Sequence, residues 1–222
     1  MPFWYLFVIT ALFLCVSRAE DLVTCASAIK MRHETTKHFL HSHQVTYGSG
    51  SGQQSVTCFP EPNDHNSYWI VMAPHGKPQC ERGEPIMCGS VIRLMHLQTK
   101  KMLHSHEYRS PLSQQQEVSC FGDNGEGDSG DNWQLICKKG TEWSQNKRFR
   151  LRHVNTKNYL HSHQHTYSHP ISGQLEVTAF KLVDKNDRNN DWTVSHGSFF
   201  TLASDWDEDY DDEDYDDETN DL

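Results

Sequence analysis

Three copies of one tetrapeptide, Leu-His-Ser-His, place histidines two residues apart at His41/His43, His104/His106 and His161/His163. Residues i and i+2 share a face of a β-strand, so each pair could present two imidazoles to one metal ion. The competing reading assigns the pairs to the scaffold. In it the first histidine hydrogen-bonds backbone at a junction between repeats and the second faces solvent. The scaffold reading is preferred, because the motif recurs with its surroundings and no carboxylate or thiol stands at a fixed spacing in all three copies. His33, His96 and His153 also recur in register, a further mark of architecture. No metal and no cofactor is expected.

Other chemistry has little to stand on. There is no Gly-x-Ser-x-Gly elbow and no phosphate-binding loop, and no paired carboxylates recur beside a nucleophile. Gly48-Ser-Gly-Ser-Gly52 lacks the strand–helix context that a phosphate cradle needs, and reads as a hairpin loop. The chain is not expected to be an enzyme.

The histidines belong to a long internal repeat. Ile29–His33, Ile92–His96 and Phe149–His153 are each followed by Thr-Lys and then by Leu40–His43, Leu103–His106 or Leu160–His163. A tyrosine comes next (Tyr47, Tyr108, Tyr167), then a loop of small and polar residues. A short run with Val56, Val118 or Val177 follows, and Trp69, Trp133 or Trp192 closes the copy. This many ordered matches identify a true repeat. The runs are short, alternate apolar and polar residues, and are punctuated by Gly, Asn, Asp, Ser and Pro, so the units are β. About four strands per unit give about twelve. Three units of roughly 55–60 residues suit an all-β β-trefoil with pseudo-threefold symmetry, because a unit this small cannot bury its apolar face alone. The core is expected at Leu40, Leu103 and Leu160 and at Trp69, Trp133 and Trp192, each worth about 1.5–3 kcal/mol by burial.

The ends of the chain differ from this middle. Phe3–Val16 is an apolar run followed by Ser17-Arg18-Ala19, so residues 1–19 read as a signal peptide. The repeats then occupy about 20–78, 80–138 and 140–198 within a 20–200 domain. Twelve acidic residues fall between Asp205 and Leu222, and removing them takes the net charge from −10 to +2. The near-neutral remainder argues against a nucleic-acid surface. Residues 204–222 are expected to form a disordered acidic tail. Three roles stay open for it: a solvating tail, a weak calcium buffer, or a sulfation substrate at Tyr210 and Tyr215.

Six cysteines lie beyond the signal peptide, which fits an oxidising compartment. Cys25 and Cys88 each stand four residues before Ile29 or Ile92, and Cys80 and Cys137 each follow a tryptophan strand. Pairs Cys25–Cys80 and Cys88–Cys137 would clasp the first two repeats, at about 3–4 kcal/mol each in the chain-entropy model. Cys58 and Cys120 also correspond, and either pair or remain buried thiols. Ala179 in the third copy favours thiols.

The segment Val23–Thr57, together with Asn66-Ser-Tyr-Trp69, Cys80-Glu-Arg-Gly83, Ser110-Pro-Leu-Ser113 and Gln116-Glu-Val-Ser119, resembles a MIR domain of the stromal cell-derived factor 2 family. The resemblance implies a β-trefoil of three MIR repeats in the endoplasmic reticulum lumen. It implies partnership with a DnaJ-type lumenal co-chaperone and, through it, with BiP and unfolded clients. No other stretch is long and apolar enough to span a bilayer, so no membrane span is expected once the signal is removed, and a monomer is expected. The alternative is a secreted carbohydrate- or protein-binding β-trefoil. The loops carrying Tyr47, Tyr108 and Tyr167 are the expected partner-binding surface, since loops on a rigid scaffold usually make the contacts.

Overall fold

A computed structural model describes residues 22–202. The expected signal peptide and acidic tail, with Tyr210 and Tyr215, lie outside the described residues. Twelve antiparallel strands run in chain order: β1 (Ala28–His33), β2 (Phe39–Thr46), β3 (Gln54–Phe59), β4 (Trp69–Met72), β5 (Val91–His96), β6 (Met102–Arg109), β7 (Gln116–Phe121), β8 (Trp133–Ile136), β9 (Arg150–His153), β10 (Tyr159–Thr166), β11 (Leu175–Phe180) and β12 (Trp192–Ser198). Short 3-10 turns, His65–Ser67, Ser129–Asp131 and Arg188–Asn190, precede β4, β8 and β12.

The same pairings occur three times. β2–β3, β6–β7 and β10–β11 are hairpins, each with a register shift after the serine of Leu-His-Ser-His. The inner strands β3, β7 and β11 pair with one another in a closed triangle. The outer strands join as β4–β5, β8–β9 and β12–β1. The last of these ties the first strand to the final one, matching Ala28 to Ser198 and His33 to Trp192.

Alternation explains the burial. β5 reads Val-Ile-Arg-Leu-Met-His, and its Ile92, Leu94 and His96 point inward. Leu40, Leu103 and Leu160 are fully buried, as are Val56, Val118, Val177, Trp69, Trp133 and Trp192. These side chains form one core, so the three units share a single apolar interior. Disulfides join Cys25 to Cys80 and Cys88 to Cys137, with Cα atoms 6.0 and 5.3 Å apart. Cys58 and Cys120 are free and buried. Burial in apolar surroundings pushes both thiols up to about 12.

The repeated Thr-Lys pair also has a structural origin. Lys37, Lys100 and Lys157 take left-handed backbone angles (φ 63°, 57° and 64°), and their amides return to the carbonyls of His33, His96 and His153. The lysine closes the turn between paired strands, and the threonine before it fixes the histidine ring.

Candidate functional site

The repeated histidines form three junctions with one wiring plan. His96 Nδ1 lies 2.9 Å from Thr99 Oγ1, and its Nε2 lies 2.9 Å from the Asn66 carbonyl of the preceding unit. His153 makes the same contacts with Thr156 and the Gly130 carbonyl. His33 makes them with Thr36 and the Asn189 carbonyl, which joins the first unit to the last. A carbonyl only accepts, so Nε2 carries the proton and Nδ1 accepts from the threonine hydroxyl. All three rings are neutral, because burial outweighs these hydrogen bonds and lowers each to about 4. Each also packs at a tilt against its junction tryptophan, with centroids 4.8–5.1 Å apart. The indoles of Trp69, Trp133 and Trp192 donate to the carbonyls of Leu40, Leu103 and Leu160.

The Leu-His-Ser-His histidines are wired differently from the expectation. His41 Nδ1 donates to Asp64 at 2.8 Å, His104 Nδ1 to Asp131 at 2.9 Å and His161 Nδ1 to Asn190 at 3.1 Å. The partner is therefore a side chain of the 3-10 turn (Asp131, Asn190) or of the residue just before it (Asp64), and the backbone role belongs to His33, His96 and His153. Burial lowers His41 despite its carboxylate partner. Burial also tends to raise Asp64, but donation from Ser67 and His41 holds it below the usual carboxylate range.

The second histidine does not simply face solvent. His43 Nδ1 lies 2.8 Å from His41 Nε2. His106 Nε2 meets Glu117 at 3.0 Å and His163 Nε2 meets Glu176 at 2.9 Å. Both glutamates are fully buried. Each reaches into the hairpin loop of the preceding unit: Glu117 accepts from the Ser51 amide and hydroxyl, and Glu176 from the Leu112 and Ser113 amides. Gly50, at φ 67°, has to be glycine because a Cβ there would collide with Glu117. That contact accounts for Gly50 within the run 48–52, since a Cβ at Gly48 or Gly52 would meet nothing. Burial tends to raise Glu176, but its hydrogen bonds from His163, Ser113 and Leu112 bring it below the usual range.

The tyrosine expectation is corrected. Tyr47 and Tyr167 are buried and pack with Ile171, with their rings 6.3 Å apart. The Tyr47 hydroxyl lies 2.9 and 3.0 Å from the Val56 and Val118 carbonyls. Neither side chain is presented at the surface, because the chain folds it back over the inner strands. Tyr108 is exposed but occupies a different place. Tyr47 and Tyr167 stand four residues after the motif's last histidine, whereas Tyr108 stands two after it. Ser110 fills the matching position: its amide bonds Gln115, as those of Tyr47 and Tyr167 bond Gln53 and Gln174.

The second junction opens to the surface. His104, His106, Asp128, Ser129, Asn155 and Thr156 line a cavity of about 370 Å³. A second cavity, of about 590 Å³, lies between Gln44, Gln53, Gln54 and Lys101, Phe121, Asp123. The cavity at His104 offers neutral hydrogen-bonding groups beside isolated charges, whereas the lining of the larger one is mainly apolar.

The model of the MIR domain matches residues 33–146 and 136–199. A stromal cell-derived factor 2-like protein of Arabidopsis thaliana is 47% identical over 181 residues, covering 81% of each chain. The chain belongs to the stromal cell-derived factor 2 family. The crystal structure of the SDF2-like protein from Arabidopsis thaliana is similar to it at a TM-score of 0.77 and 46% identity, over 82% of this chain and 99% of that one. The same fold occurs in the S. cerevisiae protein O-mannosyltransferase Pmt1–Pmt2 complex bound to the sugar donor. There the TM-score is 0.71 at 31% identity, over 83% of this chain and 27% of that one. Family membership and the two disulfides fit the secretory pathway. Among the described residues no helix is long and apolar enough to cross a membrane.

Proposed function

We propose that this stromal cell-derived factor 2 family member is a non-enzymatic adaptor of the endoplasmic reticulum lumen. It works with a DnaJ-type co-chaperone, and through it with BiP, in protein folding and quality control. It acts as a monomeric β-trefoil of three MIR repeats. The observation that carries the reading is family identity running through nearly the whole described chain, loops included. The disulfides support an oxidising lumen. The three equivalent junctions support the pseudo-threefold reading. Crosslinking in intact cells followed by pull-down of the tagged chain tests the adaptor role. A J-domain protein and BiP among the captured partners is the expected result. Recovery of the protein only outside cells, with neither attached, would refute it.

A second reading is a secreted carbohydrate-binding trefoil. It draws support from the hydrogen-bonding lining of the cavity at His104, Asp128 and Asn155. Saturable binding on a glycan array, lost in Asn155→Ala, would favour it over the adaptor.

A further inference from the structure

We propose that His163, His165 and Glu176 form a binding site for a divalent cation of the zinc class. One nitrogen from each histidine and one carboxylate oxygen lie within 4.8 Å of one another. His163 Nε2 is 2.9 Å from Glu176 Oε2, and the two imidazole centroids are 4.3 Å apart. Tetrahedral zinc, at about 2.0–2.2 Å from nitrogen and oxygen ligands, holds those atoms roughly 3.3 Å apart. The site needs only a small opening of the His163–Glu176 pair and a swing of the exposed His165 ring. Both histidines sit where β10 shifts register against β11, between Ser162 and Thr166, so their rings leave the ladder at its open edge.

The carboxylate is already oriented. Glu176 is fully buried, its Oε1 accepts from the Leu112 amide at 2.8 Å, and its Oε2, held by the Ser113 amide at 3.1 Å, faces His163. Two imidazoles and one carboxylate suit zinc or its neighbours and disfavour calcium and magnesium, which prefer oxygen alone. Three protein ligands leave a fourth position for water or for a group on a partner.

The set exists in one unit only. The matching residues are His43, Val45 and Ser55 in the first unit and His106, Tyr108 and Glu117 in the second. A scaffold duty shared by all three units therefore does not account for His165. The other cluster of this kind, His104, Asp128 and Asp131, is committed to structure. Asp131 caps its 3-10 turn through the Asp128 amide, and Asn190 takes its place in the third unit.

The test is zinc binding by the full chain, by calorimetry and elemental analysis, in excess magnesium to occupy the carboxylates of residues 205–222. His165→Ala removes an exposed ligand and should leave the fold intact. It should hold one zinc fewer per chain, or bind it at least about 10-fold more weakly. His75→Ala, an exposed histidine elsewhere, should match the parent. Cobalt should give visible ligand-field bands in the parent and not in His165→Ala. Equal zinc content with equal affinity in the parent and His165→Ala, or no zinc in either, overturns the proposal.

Discussion

His33 Nε2 and the Asn189 carbonyl oxygen are 3.0 Å apart across 156 residues of chain. With its equivalents at His96 and His153, this contact fixes a neutral imidazole at every junction, and it makes stability depend on pH. The folded rings titrate near 4 against 6.5 when free, so between those values the unfolded chain takes up protons that the folded chain refuses. Stability is fully present above pH 6.5 and declines as the pH falls towards 4. By pH 5 the loss is at most about 2 kcal/mol per histidine. Melting temperatures at pH 7 and pH 5 should show the drop, and His96→Gln should shrink it. A pH-independent melting temperature over that range would exclude the neutral assignment.

Trp133 joins core volume to a hydrogen bond, and the two contributions can be separated. Trp133→Phe keeps an aromatic ring but leaves the buried Leu103 carbonyl without its indole donor, at about 1–3 kcal/mol. Trp133→Ala adds a cavity and should cost about 3–5 kcal/mol. Urea unfolding midpoints give both values. A Phe variant as stable as the parent would show that the indole bond contributes nothing.

Glu117 holds the loop of the preceding unit. Glu117→Ala leaves the Ser51 amide and His106 without their acceptor, at about 1–3 kcal/mol. Amide exchange at Ser51 should accelerate while the Trp133 amide stays protected. Unchanged exchange at Ser51 would remove the loop-anchoring role.

Cys58 and Cys120 should resist modification. Buried thiols near 12 carry almost no thiolate at neutral pH, so maleimide should reach neither in the folded chain. In denaturant without reductant, peptide mapping should find both labelled and the disulfides intact. Rapid native labelling of either would contradict its burial.

Much of this was legible in the sequence, and the missing parts have physical reasons. Period-two alternation marks the strands. The repeated register of Leu160 and Trp192 marks the core, and the positions of Cys25 and Cys88 at the start of their units mark the clasps. The acceptors of the histidines left no such trace. Asp64, Asp131 and Asn190 lie 23, 27 and 29 residues beyond His41, His104 and His161, because the intervening loops differ in length and because Asp64 precedes its 3-10 turn whereas Asp131 and Asn190 end theirs. Glu117 and Glu176 align with Ser55, so the buried carboxylates appear in two units and not in the third. The tyrosines were misleading for a simpler reason. Residue type matched across the units while spacing did not, and spacing decides which way a side chain points.

The pairing of β1 with β12 bears on how the chain is made. Ala28 finds its neighbour in Ser198, so the first strand to leave the ribosome waits for the last before its edge is covered. The closed triangle of β3, β7 and β11 likewise cannot form until the third hairpin emerges. Such a ring cannot ripen unit by unit during synthesis, as a solenoid can. Its nascent units spend that interval with open strand edges, the places where a second chain could pair.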